Sequence, residues 1–357
     1  MKLAFVINVF REDDFHSGGE RLFYELVNRA IQDGFAVDLY CTTYLSKQNI
    51  LKNKLNKIVF LGHPKDFKYP HKIEKFYNEV KNLTQAENYD FVISENISPP
   101  LDIGILQGHS LIHYKKKSGF FFGLLKYKHI QAQKKWLKNQ YRKIIVPSEV
   151  LKTELMENFN IPDEKFVVMY PGVDVPNSAP KKHNGIFTFG LSAPSFEKKG
   201  GYVFLKALKD LKDKNYIFRA KIIYPKYKKN LKLQYLLNKY GLRDRIKFLP
   251  YQENMQGFYN SINCVVMPSF LETFGLVALE GMANKIPAIV SHYCGASEII
   301  KNGENGFIFD DNLAEKMELV LNKKIDYEKI SRNAYETALQ YNWEDFYKRF
   351  LASLKSL

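Results

Sequence analysis

The chain has 357 residues, which is long for one hydrophobic core, so two domains are expected. Its 45% hydrophobic and 25% charged residues describe an ordinary globular protein and exclude a disordered one. The formal net charge of +15 calls for an anionic partner.

Cysteine usage and the apolar runs indicate the compartment. Cys41, Cys264 and Cys294 all lie in or beside apolar segments, give no disulfide framework and fit a reducing environment. No Cys/His cluster has zinc-ligand spacing. The apolar run Leu3–Phe10 is too short for a signal peptide and is predicted to be the first strand. No run approaches the roughly 20 apolar residues of a membrane span.

Short apolar strands alternate with helical patterns along the chain. In the first half they are Leu3–Phe10, Ala36–Cys41, Lys57–Leu61, Asp90–Ser94, Ile103–Gln107, Lys143–Pro147 and Lys165–Met169. In the second half they are Ile186–Gly190, Arg219–Tyr224, Arg245–Leu249, Ile262–Met267, Ile286–Val290 and Gly306–Asp310. This alternation implies parallel sheets covered on both faces. With residues 177–184 as the linker, we predict two Rossmann-like α/β domains facing each other across a cleft, with ligands outside the carboxyl ends of the strands.

A glycine loop follows the first predicted strand. The residues His16–Arg21 include Gly18 and Gly19 and precede an amphipathic helix that ends at Gly34. A strand, a glycine loop and a helix start together suit backbone approach to a charged ligand. The alternative is an ordinary tight turn.

His109 follows the predicted strand Ile103–Gln107 directly. A single histidine is more often structural than catalytic, but the carboxyl end of a strand is where ligands of such sheets bind. His113 competes for the same role, so either histidine can face the ligand.

Residues 112–143 form a basic, aromatic segment, and no Asp or Glu occurs between Ile103 and Ser148. A solvated basic face is the simplest interpretation, but it does not explain the Phe120–Phe122 run and the leucines that follow it. Aromatic and leucine residues among lysines suit an anionic bilayer surface, at about 1 kcal/mol per basic residue. Single-stranded nucleic acid would fit the same composition.

Two lysines precede a glycine pair in the second half. Lys198 and Lys199 lie between a predicted strand and a predicted helix, beside Gly200 and Gly201. There they could neutralise a diphosphate, although a lysine pair exposed to solvent is the alternative.

Two glutamates flank the start of an apolar helix. Gly275 opens the helix Leu276–Ala283, Glu272 lies in the preceding loop, and Glu280 lies inside the helix. A carboxylate there is costly to bury unless it is paired or hydrogen-bonded, and a ribose diol can donate two hydrogen bonds to it. One solvated glutamate on an amphipathic helix is the alternative.

The helix start itself suits an anion. The backbone N–H groups of Phe274, Gly275 and Leu276 at this helix start are expected to suit a diphosphate, and Gly275 allows close approach. Glu272 could then accept hydrogen bonds from sugar hydroxyls.

These motifs, taken together, resemble those of the retaining glycosyltransferases of family 4. Glu272 and Glu280 match the Glu-x7-Glu motif, and Gly295, Glu298 and Asn305–Phe307 match the motifs downstream. The loop at Gly18 and Gly19 resembles the family's Gly-Gly-x-Glu-Arg signature, and Lys199-Gly200 resembles its pyrophosphate-binding Lys-Gly.

The resemblance covers nearly the whole chain and implies a GT-B fold. An acceptor-binding domain would span residues 1–178, with a terminal helix at about 341–357 packing back on it. A donor-binding domain would span residues 185–340. The resemblance also implies retaining transfer without a metal ion and without a protein general base.

The family's site residues transfer to this sequence one by one. The catalytic residues would be Glu272, His109 and Lys199, with the histidine contacting the sugar. Many members carry an arginine where this chain has Ala193, so Lys198 would supply the second charge. The expected donor-binding residues are Gly18, Gly19, Lys198, Lys199, Glu272, Phe274, Gly275, Leu276 and Glu280.

The segment at about 112–143 also resembles the membrane-inserted region of lipopolysaccharide-core glucosyltransferases. This implies hexose transfer from a UDP-sugar, UDP-glucose by analogy, to a membrane glycolipid or cell-surface glycan. The chain would be cytoplasmic, peripheral at the inner face of the cytoplasmic membrane, with no nucleic-acid partner. The alternatives are a soluble transferase acting on a small molecule or a protein, a GT-B sugar-nucleotide epimerase, and a basic nucleic-acid-binding protein.

Overall fold

The computed structural model describes residues 1–15, 17–62, 70–95, 102–110, 112–113, 130–131, 137, 141–176, 185–322 and 325–356. The predicted linker at 177–184 and most of the predicted membrane segment lie outside the described residues. The chain divides into two compact units. The first consists of Met1–Gly172 and Trp343–Leu357, and the second is Val173–Asn342.

The first unit contains a seven-stranded parallel sheet with the order β3-β2-β1-β4-β5-β6-β7. Its strands are β1 (Lys2–Arg11), β2 (Ala36–Leu45), β3 (Lys57–Phe60), β4 (Phe91–Glu95), β5 (Ile103–Ile105), β6 (Lys143–Val146) and β7 (Phe166–Val168). Its helices include α1 (Gly18–Gln32), α2 (Pro70–Gln85) and α3 (Glu149–Phe159).

Local sequence explains both ends of α1. The Ser17 side chain accepts a hydrogen bond from Glu20 N at the start of the helix. Gly34 follows its end with a φ of +76°, and Phe35 N bonds back to Ala30 O. A left-handed glycine just past the last turn is the usual way to close a helix.

The second unit contains a six-stranded parallel sheet with the order β10-β9-β8-β11-β12-β13. Its strands are β8 (Thr188–Ser192), β9 (Arg219–Ile223), β10 (Ile246–Leu249), β11 (Cys264–Met267), β12 (Ala288–Ser291) and β13 (Gly306–Phe309). Its α-helices are α4 (Gly201–Asp213), α5 (Leu231–Lys239), α6 (Gln256–Tyr259), α7 (Leu276–Ala283), α8 (Leu313–Leu321) and α9 (Tyr327–Leu339).

A final helix, α10 (Trp343–Lys355), belongs to the first unit. Its buried side chains recur every three or four residues, as expected for one apolar face. Phe350 lies 6.5 Å from Phe5 of β1, ring centre to ring centre. The core of the first unit therefore combines the beginning of the chain with residues 343–355.

All thirteen predicted strands form, with bounds that differ by a few residues. In each sheet the strand order reverses between two central strands, β1 and β4 in the first and β8 and β11 in the second. The loops that follow these strands flank the place where open parallel sheets bind ligands. Among the helices of the described ranges, none is long and apolar enough to cross a membrane.

Candidate functional site

The loop between β8 and α4 comes very close to the end of β11. Gly200 precedes α4 with a φ of +69°. A Cβ atom at this position would lie 1.8 Å from the carbonyl oxygen of Pro268, so a side chain does not fit. Because the two loops touch here, Lys199 is brought against the loop that follows β11.

Lys199 and Glu272 form an ion pair in which Lys199 Nζ donates to the Glu272 carboxylate. The Lys199 side chain is 28% exposed and the Glu272 side chain 12% exposed. Burial lowers the pKa of Lys199, but the charge and the hydrogen bond of Glu272 outweigh it, so the pKa is raised above 10.5. Lys199 therefore stays protonated at neutral pH, paired with the Glu272 carboxylate.

The loop between β11 and α7 is fixed to the segment after β12. Glu272 O accepts from Gly295 N at 3.1 Å, and Phe274 O accepts from Ala296 N at 2.6 Å. The thiol of Cys294 also donates to Phe274 O, at 3.0 Å. Burial raises the pKa of Cys294, so it stays a protonated donor at neutral pH. These bonds hold the peptide groups just ahead of α7 in place.

Gly275 is the residue immediately before α7, with a φ of +99°. A Cβ atom there would lie 2.8 Å from Cys294 Sγ and from Met267 Cε, so glycine is required. Glycine has no side chain to cap the first turn, whose N–H groups point out of the helix start. The backbone and the positive end of the helix dipole together suit an anion.

Glu280 lies half-buried in α7 and accepts a hydrogen bond from the hydroxyl of Tyr259. Tyr259 is buried, and burial together with the charge of Glu280 raises its pKa well above 10.0. The phenol is therefore a hydrogen-bond donor at neutral pH, and it orients the carboxylate. Glu280 is not a fully solvated residue on an amphipathic helix.

The glycine loop of the first unit contacts Gln107, the second residue after β5. Gln107 Nε2 donates to Gly19 O at 3.3 Å, and a Cβ atom on Gly19 would lie 2.9 Å from Gln107 Oε1. A side chain at Gly19 would therefore displace the end of the Gln107 side chain. Gly18 is the first residue of α1. The loop lies at the carboxyl end of β1, as predicted.

His109 lies in a cluster with Glu154 and His113. His109 Nδ1 is hydrogen-bonded to the carboxylate of Glu154, which also accepts from Ser110 N at 2.8 Å. The rings of His109 and His113 stack, with centres 5.3 Å apart. In the described part of the chain, these three residues are the group of His, Cys, Asp and Glu whose ligand atoms lie close enough for a metal ion.

Two family models match successive parts of the chain. Residues 16–176 match the model described as Glycosyltransferase Family 4, and residues 174–337 match Glycosyl transferases group 1. The chain belongs to the family 4 glycosyltransferases.

Similar glycosyltransferases are known from other organisms. An uncharacterized glycosyltransferase of Methanocaldococcus jannaschii is 27% identical over 337 residues, which are 92% of this chain and 91% of the relative. The D-inositol 3-phosphate glycosyltransferase of Mycolicibacterium smegmatis is 27% identical over 229 residues, 59% of this chain and 52% of the relative.

Solved structures of glycosyltransferases share the fold. WaaG, a glycosyltransferase involved in lipopolysaccharide biosynthesis, matches with a TM-score of 0.78 and 17% identity, over 97% of this chain and 98% of WaaG. HepE of Anabaena, solved with UDP and glucose, matches with a TM-score of 0.74 and 16% identity over the full length of both chains. With the two parallel sheets, these matches confirm the predicted GT-B fold.

The predicted site residues of this glycosyltransferase form two groups, one in each unit. Gly18, Gly19 and His109 belong to the first unit. The others belong to the second, where Lys199 is the lysine that reaches Glu272 and Lys198 is exposed.

One motif of the glycosyltransferase sequence has a structural role. Asn305 accepts from Lys301 N and donates to Ile299 O and Thr337 Oγ1. A Cβ atom on Gly306 would lie 2.7 Å from Ala288 O. These contacts position β13 beside β12.

Sequence reasoning missed Tyr259 and Glu154. Tyr259 lies 21 residues before its partner Glu280, and Glu154 lies 45 residues after His109. Both residues lie among apolar neighbours, as ordinary core residues do. No local spacing marks either of them. The cluster of His109, His113 and Glu154 was missed because Glu154 is so far from the two histidines in the sequence.

Proposed function

We propose that this glycosyltransferase moves a hexose from a nucleotide sugar to a membrane-associated glycolipid or cell-surface glycan with retention of the anomeric configuration. The proposed donor is a UDP-sugar, with UDP-glucose the first choice. The observation that carries the proposal is the Lys199–Glu272 ion pair beside the start of α7. The lysine and the amides at the helix start would bind a diphosphate. The glutamate would accept hydrogen bonds from sugar hydroxyls.

The proposed chemistry is stabilisation of a leaving group. Breaking the anomeric C–O bond places negative charge on the departing diphosphate. The ammonium of Lys199 and the amides of Phe274, Gly275 and Leu276 would stabilise that charge as it develops. Because these groups supply the positive charge, the proposed reaction needs no divalent metal. The leaving phosphate would accept the acceptor's proton, so no protein general base is assigned.

The remaining contacts would orient the donor. Glu280, positioned by Tyr259, would bind the ribose diol, and Glu272 would accept from hydroxyls of the sugar. His109 would contact the sugar, and Gly18 and Gly19 would bind the donor. The fold shared with HepE, solved with UDP and glucose, supports UDP as the nucleotide.

The basic, aromatic segment at about 112–143 supports a membrane-associated acceptor. The fold shared with WaaG, whose name places it in lipopolysaccharide biosynthesis, supports a glycolipid. We therefore propose a peripheral position at the inner face of the cytoplasmic membrane.

A donor screen tests the proposal. Purified protein is incubated with UDP-, GDP- and ADP-sugars, each with and without glycolipid extract, in the presence of EDTA, and nucleotide release is measured. Release of UDP that depends on the acceptor, with an α-linked product from an α-linked donor by NMR, is the expected result. Conversion of the donor without any acceptor would identify an epimerase, and transfer to soluble acceptors alone would remove the glycolipid. No release from any sugar nucleotide would reject the transferase.

A further inference from the structure

Glu154 is a buried carboxylate that the proposed reaction does not use. It lies in α3, and its side chain is 2% exposed. Burying an ionised carboxylate is costly unless hydrogen bonds and charges compensate. Two groups that hydrogen-bond to it, His109 Nδ1 and Ser110 N, lie on adjacent residues just after β5. The carboxylate therefore holds residues 109–110 in place.

The contact decides which nitrogen of His109 carries the proton. An ionised carboxylate only accepts hydrogen bonds, so Nδ1 must donate to it. In the neutral ring Nε2 is then the acceptor. Nε2 of His109 is buried and has no hydrogen-bond partner within the described residues. An unsatisfied buried polar atom in a folded protein needs an explanation, and a ligand hydroxyl that donates to Nε2 is one that fits.

We propose that Glu154 is a positioning residue that fixes His109 in its Nδ1–H form and thereby presents Nε2 as an acceptor to a hydroxyl of the bound sugar. The inference rests on the proposed function, because it takes the ligand of His109 to be the transferred sugar. Glu154 itself touches neither sugar nor diphosphate.

A metal ion is the competing occupant of this cluster. The ligand atoms of His109, His113 and Glu154 lie within 4.8 Å of one another, and two histidines with a glutamate suit Zn²⁺. The two rings, however, are stacked with only 14° between their planes. Since a metal binds in the plane of each imidazole, the lone pairs of stacked rings do not converge on one ion. Glu154 also already accepts two hydrogen bonds. The geometry favours the His109–Glu154 pair.

The test substitutes the carboxylate by its isosteric amide. In Glu154→Gln the new side chain can donate to Nδ1, so the proton of His109 moves to Nε2. Nitrogen-15 NMR of histidine-labelled protein reads the tautomer directly, without activity. The expected spectrum shows Nδ1–H for the natural chain and Nε2–H for the variant. Glu157→Gln, an exposed glutamate of the same helix, is the matched control and should leave the spectrum unchanged.

Kinetics supply the second readout. Glu154→Gln should lower kcat at least tenfold with little change in the Kd for UDP, and should have no further effect in a His109→Ala background. If the protein proves not to be a transferase, the NMR result still decides the tautomer. An unchanged tautomer, or an unchanged kcat, overturns the inference. Stoichiometric Zn²⁺ binding by calorimetry that disappears in Glu154→Gln and in His113→Ala overturns it in favour of the metal.

Discussion

At the scale of single residues, one lysine and one glutamate form the central contact of the candidate site in the second unit. Lys199 and Glu272 come from loops that follow different strands, 73 residues apart in the chain. Their pairing depends on Gly200, which allows the two loops to touch. In the proposed reaction, the charged lysine beside the start of α7 would stabilise the departing diphosphate.

The lysine can be tested by truncation. Lys199→Ala removes one fixed positive charge, and we expect kcat to fall about 10²–10³-fold, as for loss of one group that stabilises developing charge. Steady-state assays of nucleotide release give the comparison. Lys206→Ala, an exposed lysine on α4, is the control and should keep full activity. A loss of less than threefold for Lys199→Ala would remove the lysine from the reaction.

At the scale of elements, two loops that follow neighbouring strands bring together residues from separate sequence motifs. The carboxyl ends of β8 and β11 are adjacent because the two parallel strands pair in the sheet, at the point where the strand order reverses. That arrangement brings the loop before α4 and the loop before α7 together.

The glycine that permits this approach has a matched control. Gly200 and Gly303 both have a positive φ, but a Cβ atom at Gly303 meets nothing within 4 Å. Gly303→Ala should therefore cost only the left-handed backbone penalty, about 1–2 kcal/mol. Gly200→Ala should cost a further 1–3 kcal/mol or so, because it also overlaps Pro268 O. Urea denaturation followed by circular dichroism measures both, and equal losses would contradict the steric argument.

The contact between α6 and α7 supports another prediction. Tyr259→Phe removes the hydroxyl that donates to Glu280 but keeps the buried ring. Without this charge-assisted hydrogen bond the Glu280 carboxylate is no longer oriented for the ribose, so UDP should bind about tenfold more weakly or worse. Isothermal titration calorimetry gives the Kd. Tyr235→Phe, whose side chain is 61% exposed in α5, should bind UDP normally. Unchanged affinity in Tyr259→Phe would separate Glu280 from the nucleotide.

The sequence predicted the elements well because their signals are local. Every strand has its own apolar run, and Gly34 and Gly275 are recognisable at helix ends from their neighbours alone. The loops bearing Lys199 and Glu272 were predicted at the carboxyl ends of strands, where they lie. Tyr259 and Glu154 were not found, because a hydrogen bond between distant side chains leaves no periodic pattern. The clash that excludes a side chain at Gly200 likewise involves a residue 68 positions away.

At the scale of the whole molecule, the charge of +15 bears on where the protein works. The basic segment at about 112–143 should attract anionic lipid, at about 1 kcal/mol per basic residue. Substituting Lys115, Lys116 and Lys117 by glutamate should therefore weaken binding to phosphatidylglycerol vesicles by about 100-fold or more. Sedimentation with vesicles measures the partition, and neutral phosphatidylcholine vesicles give the baseline.

A second triple variant distinguishes this segment from general charge. Lys226, Lys228 and Lys229 are exposed in the second unit, and their substitution by glutamate changes the net charge equally. This control should retain most of the vesicle binding. Equal losses in the two variants would show that vesicle binding follows the total charge and does not depend on the segment at about 112–143.

The helix α10 has a consequence for how the polypeptide is made. Its Phe350 completes the core around Phe5, whereas the second unit is one uninterrupted stretch from Val173 to Asn342. During synthesis that stretch is available as a whole before residues 343–355 have left the ribosome. The unit that is translated first therefore completes its core last, and until then the apolar surface of β1 that Phe350 covers stays exposed.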